Sequence, residues 1–222
     1  MDKGCFCQLG INMKNQNYKF PLVLLSVWLA LAFGLGITAK DPLGWLLEFI
    51  PLFLVIIVLA LTIKNFRFSN ISYSLIFIFL LFPISAAHYS YSDIPFGFFN
   101  SFFNTLFLSQ GRNNFDRLVH FSAGILLSFP VYELLKKKAG LKSAWLWIIT
   151  VLSFVGASAI YEILEWLSAS FLSPVNIESF VGLQGDIWDA QKDMLMTSVG
   201  SFISVPIIFF LSRAKKLKVK LP

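Results

Sequence analysis

The sequence predicts an all-α protein, a membrane helix bundle with about six transmembrane helices and one further interfacial or re-entrant helix. Of its 222 residues, 57% are hydrophobic and only 14% are charged, which is too little charge to cover a surface exposed to water. The apolar residues form long unbroken runs, unlike the spaced stripe of a soluble amphipathic helix. Because basic residues flank these runs, the net charge of +6 indicates topology signals and no nucleic-acid partner.

Six apolar runs are long enough to cross a bilayer, since about 20 helical residues span the hydrocarbon region. They lie at about 20–38, 43–63, 70–88, 117–135, 143–168 and 189–211. Pro83 and Pro130 fall inside two runs and are tolerated where a neighbouring helix or water satisfies the freed carbonyl. No internal repeat, soluble domain or linker interrupts the pattern. We therefore expect one membrane domain over 20–212, an N-terminal segment at 1–19 and a basic tail at 213–222.

The lysines and arginines predict the orientation of the bundle. If the six helices alternate in direction, fourteen of the eighteen basic residues fall on one side of the membrane. The four on the other side are Lys40, Arg112, Arg117 and Lys192. By the positive-inside rule, both termini are cytoplasmic, and we expect a multi-pass protein of the inner (cytoplasmic) membrane.

The segment between the third and fourth runs, residues 88–117, is rich in phenylalanine but too short to span. Its middle, PFGFFNSFFNTLFLSQG, interleaves asparagine and serine with a phenylalanine stripe. This pattern predicts an interfacial or re-entrant helix in the outer leaflet. A plain membrane-anchoring loop and a segment that guides a substrate are the two alternatives for its role.

Most acidic residues map to the outer side under this topology. Ten of the twelve do so, together with both histidines. The acidic residues are Asp41, Glu48, Asp93, Asp116, Glu162, Glu165, Glu178, Asp186, Asp189 and Asp193, and the histidines are His88 and His120. Acidic residues contribute little to topology, so this asymmetry predicts a function at the outer face.

Three apolar runs carry pairs of titratable residues at a spacing of three or four, which places each pair on one helix face. The pairs are Asp116 with His120, Glu162 with Glu165, and Asp189 with Asp193. Helix capping is an alternative role for Asp116, and for Asp186 together with Asp189. Arg117 has the alternative of a snorkelling interface residue.

His120, Asp193 and Glu162 each lie a turn or more inside an apolar run. A charged side chain at the bilayer centre costs about 2.5–3.5 kcal/mol on insertion scales, so such residues usually face the bundle interior and pair. We therefore predict a polar site that acts on a lipid or lipid-linked phosphate. The predicted catalytic residues are His120, Asp116, Arg117 and Glu162. The predicted substrate-binding residues are Arg117, His88, Tyr91 and Gln184.

In this hypothesis His120 is a general acid and base, oriented by a carboxylate such as Glu162. The planar fork of Arg117 suits an anionic headgroup. Crowded carboxylates cannot all ionise unless a cation lies between them, so a divalent metal is a candidate cofactor. Oxygen ligands suit Mg²⁺, Ca²⁺ or Mn²⁺, and an imidazole shifts the preference towards Mn²⁺, Fe²⁺ or Zn²⁺. The candidate metal ligands are Asp189, Asp193, Glu165 and Asp186.

Four ordered motifs resemble the YjdF-like family of bacterial inner-membrane proteins, which is defined by a domain of unknown function. They are HYSYSDIPFG, NNFDRLVHFSAG, IYEILEW and GLQGDIWDAQKDMLMTSVG. The resemblance covers about residues 25–212 and implies a multi-pass envelope protein. It supplies no reaction.

The layout is also similar, more distantly, to VanZ-like proteins. These share an Asp-Lys/Arg-x-x-His helix start, a later helix with Glu, and a final helix with spaced acids and a glycine. The matching positions are Asp116, Arg117, His120, Glu162 or Glu165, Asp186, Asp189, Asp193 and Gly200. VanZ-like proteins are linked to glycopeptide resistance, so the resemblance implies a cell-envelope setting. Asp193 stands where VanZ-like chains often have Asn, which favours a nearby cation.

Two other functions compete with the lipid-acting site. One is a permease coupled to protons or cations, in which the carboxylates bind the transported ion. The other is a structural or accessory membrane protein whose polar cluster holds the helices together. The expected partners are membrane lipids, with a homo-oligomer as one alternative for the assembly state.

Overall fold

The computed structural model describes residues 18–95, 97–107, 111–171 and 184–218. The N-terminal residues 1–17, with Cys5 and Cys7, and the loop acid Glu178 lie outside the described residues. Seven helices are present in the described part. They are α1 (Lys19–Ile37), α2 (Pro42–Thr62), α3 (Asn70–Tyr89), α4 (Gly97–Phe107), α5 (Phe115–Lys137), α6 (Ser143–Phe171) and α7 (Asp189–Lys218).

Six of these helices, all except α4, are long and apolar enough to cross a membrane. Their outward faces carry large apolar side chains such as Leu61, which is 74% exposed, and Phe210, which is 68% exposed. Apolar side chains of this kind are stable in contact with lipid. The backbone is stable there too, because a helix satisfies its own backbone groups. The described residues contain no strand. The predicted all-α bundle with six spanning helices is confirmed, and the helices match the predicted runs, with α6 and α7 extending further.

Helices α5 and α7 form the centre of the bundle and pack against each other more extensively than any other described pair. Gly124 on α5 faces Gly200 on α7, and a Cβ added to either would collide with backbone atoms of the other helix. The hydroxyl of Ser204 also donates to the carbonyl of Ile125 across this contact, at 2.9 Å. Small residues with a polar bridge are the usual means of close packing between membrane helices.

Helices α1 and α2 pack at one side of the bundle, mainly through α3. Trp28 of α1 is 1% exposed, stacks on Phe49 of α2 with ring centroids 5.6 Å apart, and donates its Nε1–H to the Leu80 carbonyl of α3 at 3.1 Å. One aromatic side chain therefore joins three helices. The indole N–H also finds in this carbonyl an acceptor that lipid would not supply.

Glu133 lies near the end of α5, 17 residues beyond Asp116, and so about 25 Å away along the helix. Its carboxylate accepts hydrogen bonds from the Ser69 N–H at 3.0 Å, the Ser69 hydroxyl at 2.9 Å, the Ser72 hydroxyl and the Lys137 ammonium. Ser69 is also the N-cap of α3. This acid is thus saturated with donors and ties the start of α3 to α5.

Helix α4 has 11 residues and a length of roughly 16 Å, which is too short to span a bilayer. Asn100 donates its Nδ2–H to the Arg112 carbonyl at 2.9 Å and accepts from the Asn114 N–H at 2.8 Å. Phe103 is buried, whereas Phe102 is exposed. The predicted extra helix is therefore present, attached by its amides to the start of α5. Its depth in the membrane stays a prediction.

Replacing Gly200 by Leu should destabilise the bundle, because the new side chain would have to displace the backbone of α5. Overpacking typically costs about 1–3 kcal/mol, and a rigid backbone neighbour places this site at the upper end, so we expect the Tm in detergent to fall by roughly 5–10 °C. Gly156→Leu is the matched control, since nothing lies within 4 Å of a Cβ there. Equal Tm values for the two variants would contradict the close helix contact.

Candidate functional site

Four helices contribute titratable side chains to one end of the bundle, which is the end that the sequence predicts to be exoplasmic. Helices α5 and α7 begin there and α6 ends there, so acids far apart in sequence come together. We call this group the acid–histidine cluster. It contains Glu48, Asp116, His120, Glu162, Glu165, Asp189 and Asp193. Five of these residues are buried, with Asp193 only 2% exposed, whereas Glu162 and Glu165 are partly exposed.

The imidazole of His120 occupies the middle of the cluster. Its Nε2 lies 3.6 Å from Oδ1 of Asp116 and 3.4 Å from Oε1 of Glu162. Its Nδ1 lies 3.1 Å from the hydroxyl of Thr197, which in turn accepts a hydrogen bond from Ser158 at 3.3 Å. The ring is therefore oriented by a hydroxyl on one edge and faces two carboxyls with the other.

The remaining acids surround this centre. Glu165 interacts electrostatically with Asp116, Glu162, Glu48 and Asp193. Glu162 and Glu165 are within hydrogen-bonding reach of each other, as are Asp189 and Asp193. Carboxyls that approach so closely require a shared proton or an intervening cation.

Two arginines lie at the rim of the cluster and are already engaged by acids. Arg117 is completely buried, and its guanidinium bonds to Asn114 and to Asp186, the latter at 2.5 Å. It also lies 3.6 Å from Asp189, and Arg112 forms a buried ion pair with the same acid. Arg117 therefore holds Asp186 and Asp189. The headgroup-binding role that the sequence predicts for Arg117 stays a prediction.

Asp186 lies in the connection before α7 and joins several donors. Burial opposes its ionisation, but hydrogen bonds from Lys192, the Trp188 N–H and Arg117 outweigh this and lower the pKa of the carboxyl to about 2. Because the pKa in the folded protein is below its ordinary value, ionised Asp186 stabilises the fold above about pH 4. That contribution is lost as the pH falls towards 2.

The predicted substrate residues have different surroundings. Tyr91 is buried beside the cluster, and burial followed by the charges of Glu48 and Asp116 raises its pKa well above the ordinary value, so the phenol keeps its proton. Gln184 accepts a hydrogen bond from the Asn113 N–H at 2.8 Å and donates to the Asn113 carbonyl at 3.1 Å. His88 lies 2.9 Å from the Leu35 carbonyl, on the α1 side of α3. The structure thus brings Tyr91 to the cluster and uses the other two to join segments.

The metal ligands grouped by the structure differ from the predicted set. Asp116, His120 and Asp193 are all buried and offer ligand atoms within 4.8 Å of one another. Of the predicted ligands, Asp193 belongs to this group and Glu165 stands beside it, whereas Asp186 and Asp189 form ion pairs with arginine. The capping alternative for Asp116 does not occur, since the residue before α5 is Asn114 and Asp116 lies in the first turn.

Sequence reasoning assigned no role to Glu48, Arg112 or Thr197. Glu48 is buried within the apolar helix α2, and an acid in such a run is itself a signal of function. Arg112 is one of the four basic residues that the sequence predicts on the outer side. The contact of Thr197 with His120 depends on the packing of α5 against α7, and no sequence pattern predicts it.

The chain is similar to proteins already grouped as a family. A model of predicted membrane proteins, DUF2238, matches residues 20–214. The inner membrane protein YjdF of Escherichia coli (strain K12) is 31% identical over 197 residues, which are 87% of this chain and 90% of the relative. No solved structure matches. The YjdF-like resemblance is confirmed, whereas these comparisons lend no support to the VanZ-like one.

Replacing Arg117 by Gln should strongly destabilise the protein, because Asp186 and Asp189 would lose a buried counter-ion. Removing one partner of a buried ion pair costs about 3–5 kcal/mol. Thermal unfolding in detergent measures the loss. Lys40→Gln is the control, since Lys40 and Asp93 are both more than half exposed and such pairs contribute about 0–1 kcal/mol. If Asp186→Asn fails to rescue Arg117→Gln, even in part, the assigned pairing is incorrect.

Proposed function

The chain belongs to the DUF2238 family of predicted membrane proteins, and from that premise we propose that its acid–histidine cluster acts on the phosphate-bearing headgroup of an envelope lipid. A multi-pass membrane protein with buried acids at one end supports a site at the lipid–water boundary. The relative of known location is an inner membrane protein, which supports the same membrane for this chain. The site would then face the outer leaflet.

The orientation rests on the basic residues at the opposite end. Lys136 and Lys137 occupy the last turn of α5, Lys142 precedes α6, and Arg213 lies near the end of α7. By the positive-inside rule this end is cytoplasmic. Asp116, at the other end of α5, is then exoplasmic.

The observation that carries the proposal is the position of His120 against Glu162. The Nε2 of the imidazole and Oε1 of the carboxyl are 3.4 Å apart and come from different helices. A histidine paired with an acid, oriented on its far side by Thr197, is a suitable general acid and base. Glu162 is 10% exposed at its side chain and is followed by the exposed Ile163, so lipid lies close by.

The reaction class that these groups suit is hydrolysis of a phosphate ester. A water oxygen forms a bond to phosphorus while the bond between phosphorus and the ester oxygen breaks. The His120–Glu162 pair accepts the proton of the attacking water and returns it to the departing ester oxygen. Atoms and charge balance without any oxidant or reductant.

Access for the headgroup is proposed between α2 and α6. The described parts of these two helices do not pack closely against each other, although Glu48 and Glu165 interact electrostatically across the cluster. That side is therefore bounded by carboxyls and not by a helix contact. A headgroup entering there would keep its acyl chains in lipid.

A permease is the less favoured function because the centre of the bundle is closed. At Gly124 and Gly200, one turn beyond His120, the backbones of α5 and α7 are in direct contact. The hydroxyls of Ser128 and Ser153 donate to carbonyls of their own helices at 2.6 and 2.7 Å. Both hydroxyls are thus committed to the backbone of their own helices.

Glu162→Gln and His120→Asn should each reduce headgroup release by about 10²-fold or more, since each removes a member of the acid–base pair. The assay uses purified protein in vesicles of phosphatidylethanolamine and phosphatidylglycerol, with and without a polyprenyl diphosphate, and detects released phosphate compounds by mass spectrometry. Asp93→Asn is the matched control, an exposed acid at the same end that pairs with Lys40. Turnover that is absent from the wild type, or equal in all four proteins, would refute the proposal.

Cysteine labelling tests the orientation. In a chain with Cys5 and Cys7 replaced by serine, Ile187→Cys should react with a membrane-impermeant maleimide added to spheroplasts, because Ile187 is 84% exposed at the proposed outer end. Ala139→Cys, exposed in the lysine-rich connection between α5 and α6, should react only after permeabilisation. The reverse pattern would place the cluster on the cytoplasmic side.

A further inference from the structure

We infer that Asp116, His120 and Asp193 hold one divalent cation, of the kind that accepts mixed imidazole and carboxylate ligands, such as Zn²⁺ or Mn²⁺. All three residues are buried, and their ligand atoms lie within 4.8 Å of one another. The site itself stands on this geometry. Its part in the chemistry rests on the proposed function.

The spacing around Nε2 of His120 suits a shared ion better than direct hydrogen bonds. The distances from Nε2 to the Asp116 and Glu162 oxygens are 3.6 and 3.4 Å, which is long for an N–H···O bond. Two ligand atoms that are each about 2.1 Å from a tetrahedral ion lie about 3.4 Å apart. The oxygen of Asp116 is therefore placed where the second ligand of such an ion belongs.

Asp193 supplies an independent observation. Its side chain is enclosed, with 2% of the residue exposed, and its Oδ1 accepts no hydrogen bond from any residue that the structure describes. A buried carboxylate oxygen without a donor costs several kcal/mol unless it is paired or binds a metal. Arg112 and Arg117 pair with Asp189 and Asp186, and Asp193 forms no salt bridge with a basic residue in the described part of the chain.

The far side of the imidazole has the partner that a metal-bound histidine requires. Nδ1 lies 3.1 Å from the hydroxyl of Thr197, and Thr197 is held by Ser158. A ligand histidine usually donates its second ring N–H to such a group, which fixes the ring and directs the other nitrogen at the ion. His120 is thus presented with Nε2 towards Asp116.

Three protein ligands leave one position of a tetrahedral ion open, as in catalytic zinc sites. Water bound there would be acidified by the ion. With Nε2 bound to the ion, His120 would be a metal ligand, and Glu162 alone would accept and return the proton in the proposed hydrolysis. The ion would also supply the positive charge that a phosphate needs in a cluster so rich in carboxyls.

Metal content of the purified protein tests the inference. Protein prepared in detergent without chelator should hold about one Zn or Mn per chain, and Asp116→Asn, His120→Asn and Asp193→Asn should each reduce this at least tenfold. Asp93→Asn and Lys40→Gln, which remove the two partners of an exposed ion pair, are the matched controls, and both should keep the metal. Loss of metal in the controls with retention in Asp116→Asn would overturn the assigned ligand set.

Titration of metal-depleted protein with Co²⁺ provides a second readout. The wild type should develop visible absorption bands and gain thermal stability, and Asp193→Asn should do neither. Asp193→Asn is not expected to unfold, since it removes an uncompensated buried charge. Wild-type protein that contains no metal and binds no Co²⁺ at 100-fold excess would refute the site. Protein that binds the metal but releases no headgroup would refute the proposed lipid reaction and still support the metal site.

Discussion

Backbone contact between α5 and α7 determines how close Asp116 and His120 can come to Asp189 and Asp193. Gly124 and Gly200 remove the side chains that would hold the two helices apart. His120 lies one turn before the first glycine, and Asp193 lies two turns before the second. The separation of their ligand atoms is therefore set by a rigid contact below them and not by flexible loops. A site that binds an ion or positions a proton acceptor needs its groups held within fractions of an ångström.

Glu133 on α5 and Asp193 on α7 show how differently two buried carboxyls of this bundle are compensated. Glu133 accepts hydrogen bonds from Ser69, Ser72 and Lys137, so its buried charge is fully compensated. Asp193 is buried to a similar degree but has an oxygen without a donor. A buried acid without a compensating partner is costly in lipid. We therefore expect a ligand or a proton at the Asp193 oxygen that lacks a donor. Burial alone would not separate these two acids.

The polar groups at the end of the bundle that holds the acid–histidine cluster fall into distinct sets. The amides of Asn100, Asn104 and Asn114 tie α4 to the start of α5. Below them, the arginines neutralise Asp186 and Asp189, which leaves Asp116, Asp193 and Glu162 around the histidine. Arg112 and Arg117 thus pair with Asp189 and Asp186, whereas Asp116 and Glu162 face His120. This division explains why the structure separates the predicted metal ligands into two groups.

The six spanning helices and the extra short helix could be predicted from the sequence alone. The length of an apolar run is a local property, and the thickness of the bilayer decides whether that length can span it. The sequence also placed Asp116, His120, Glu162 and Asp193 at one end, since alternating helices follow from the basic flanks. Tertiary structure decided which acid meets which partner. The pairing of Arg117 with Asp186, the hydroxyl of Thr197 on His120 and the entry of Glu48 into the cluster all depend on helix rotation and on close approach at two glycines. Spacing along one helix cannot specify these, because it fixes faces within a helix and not the angle between two.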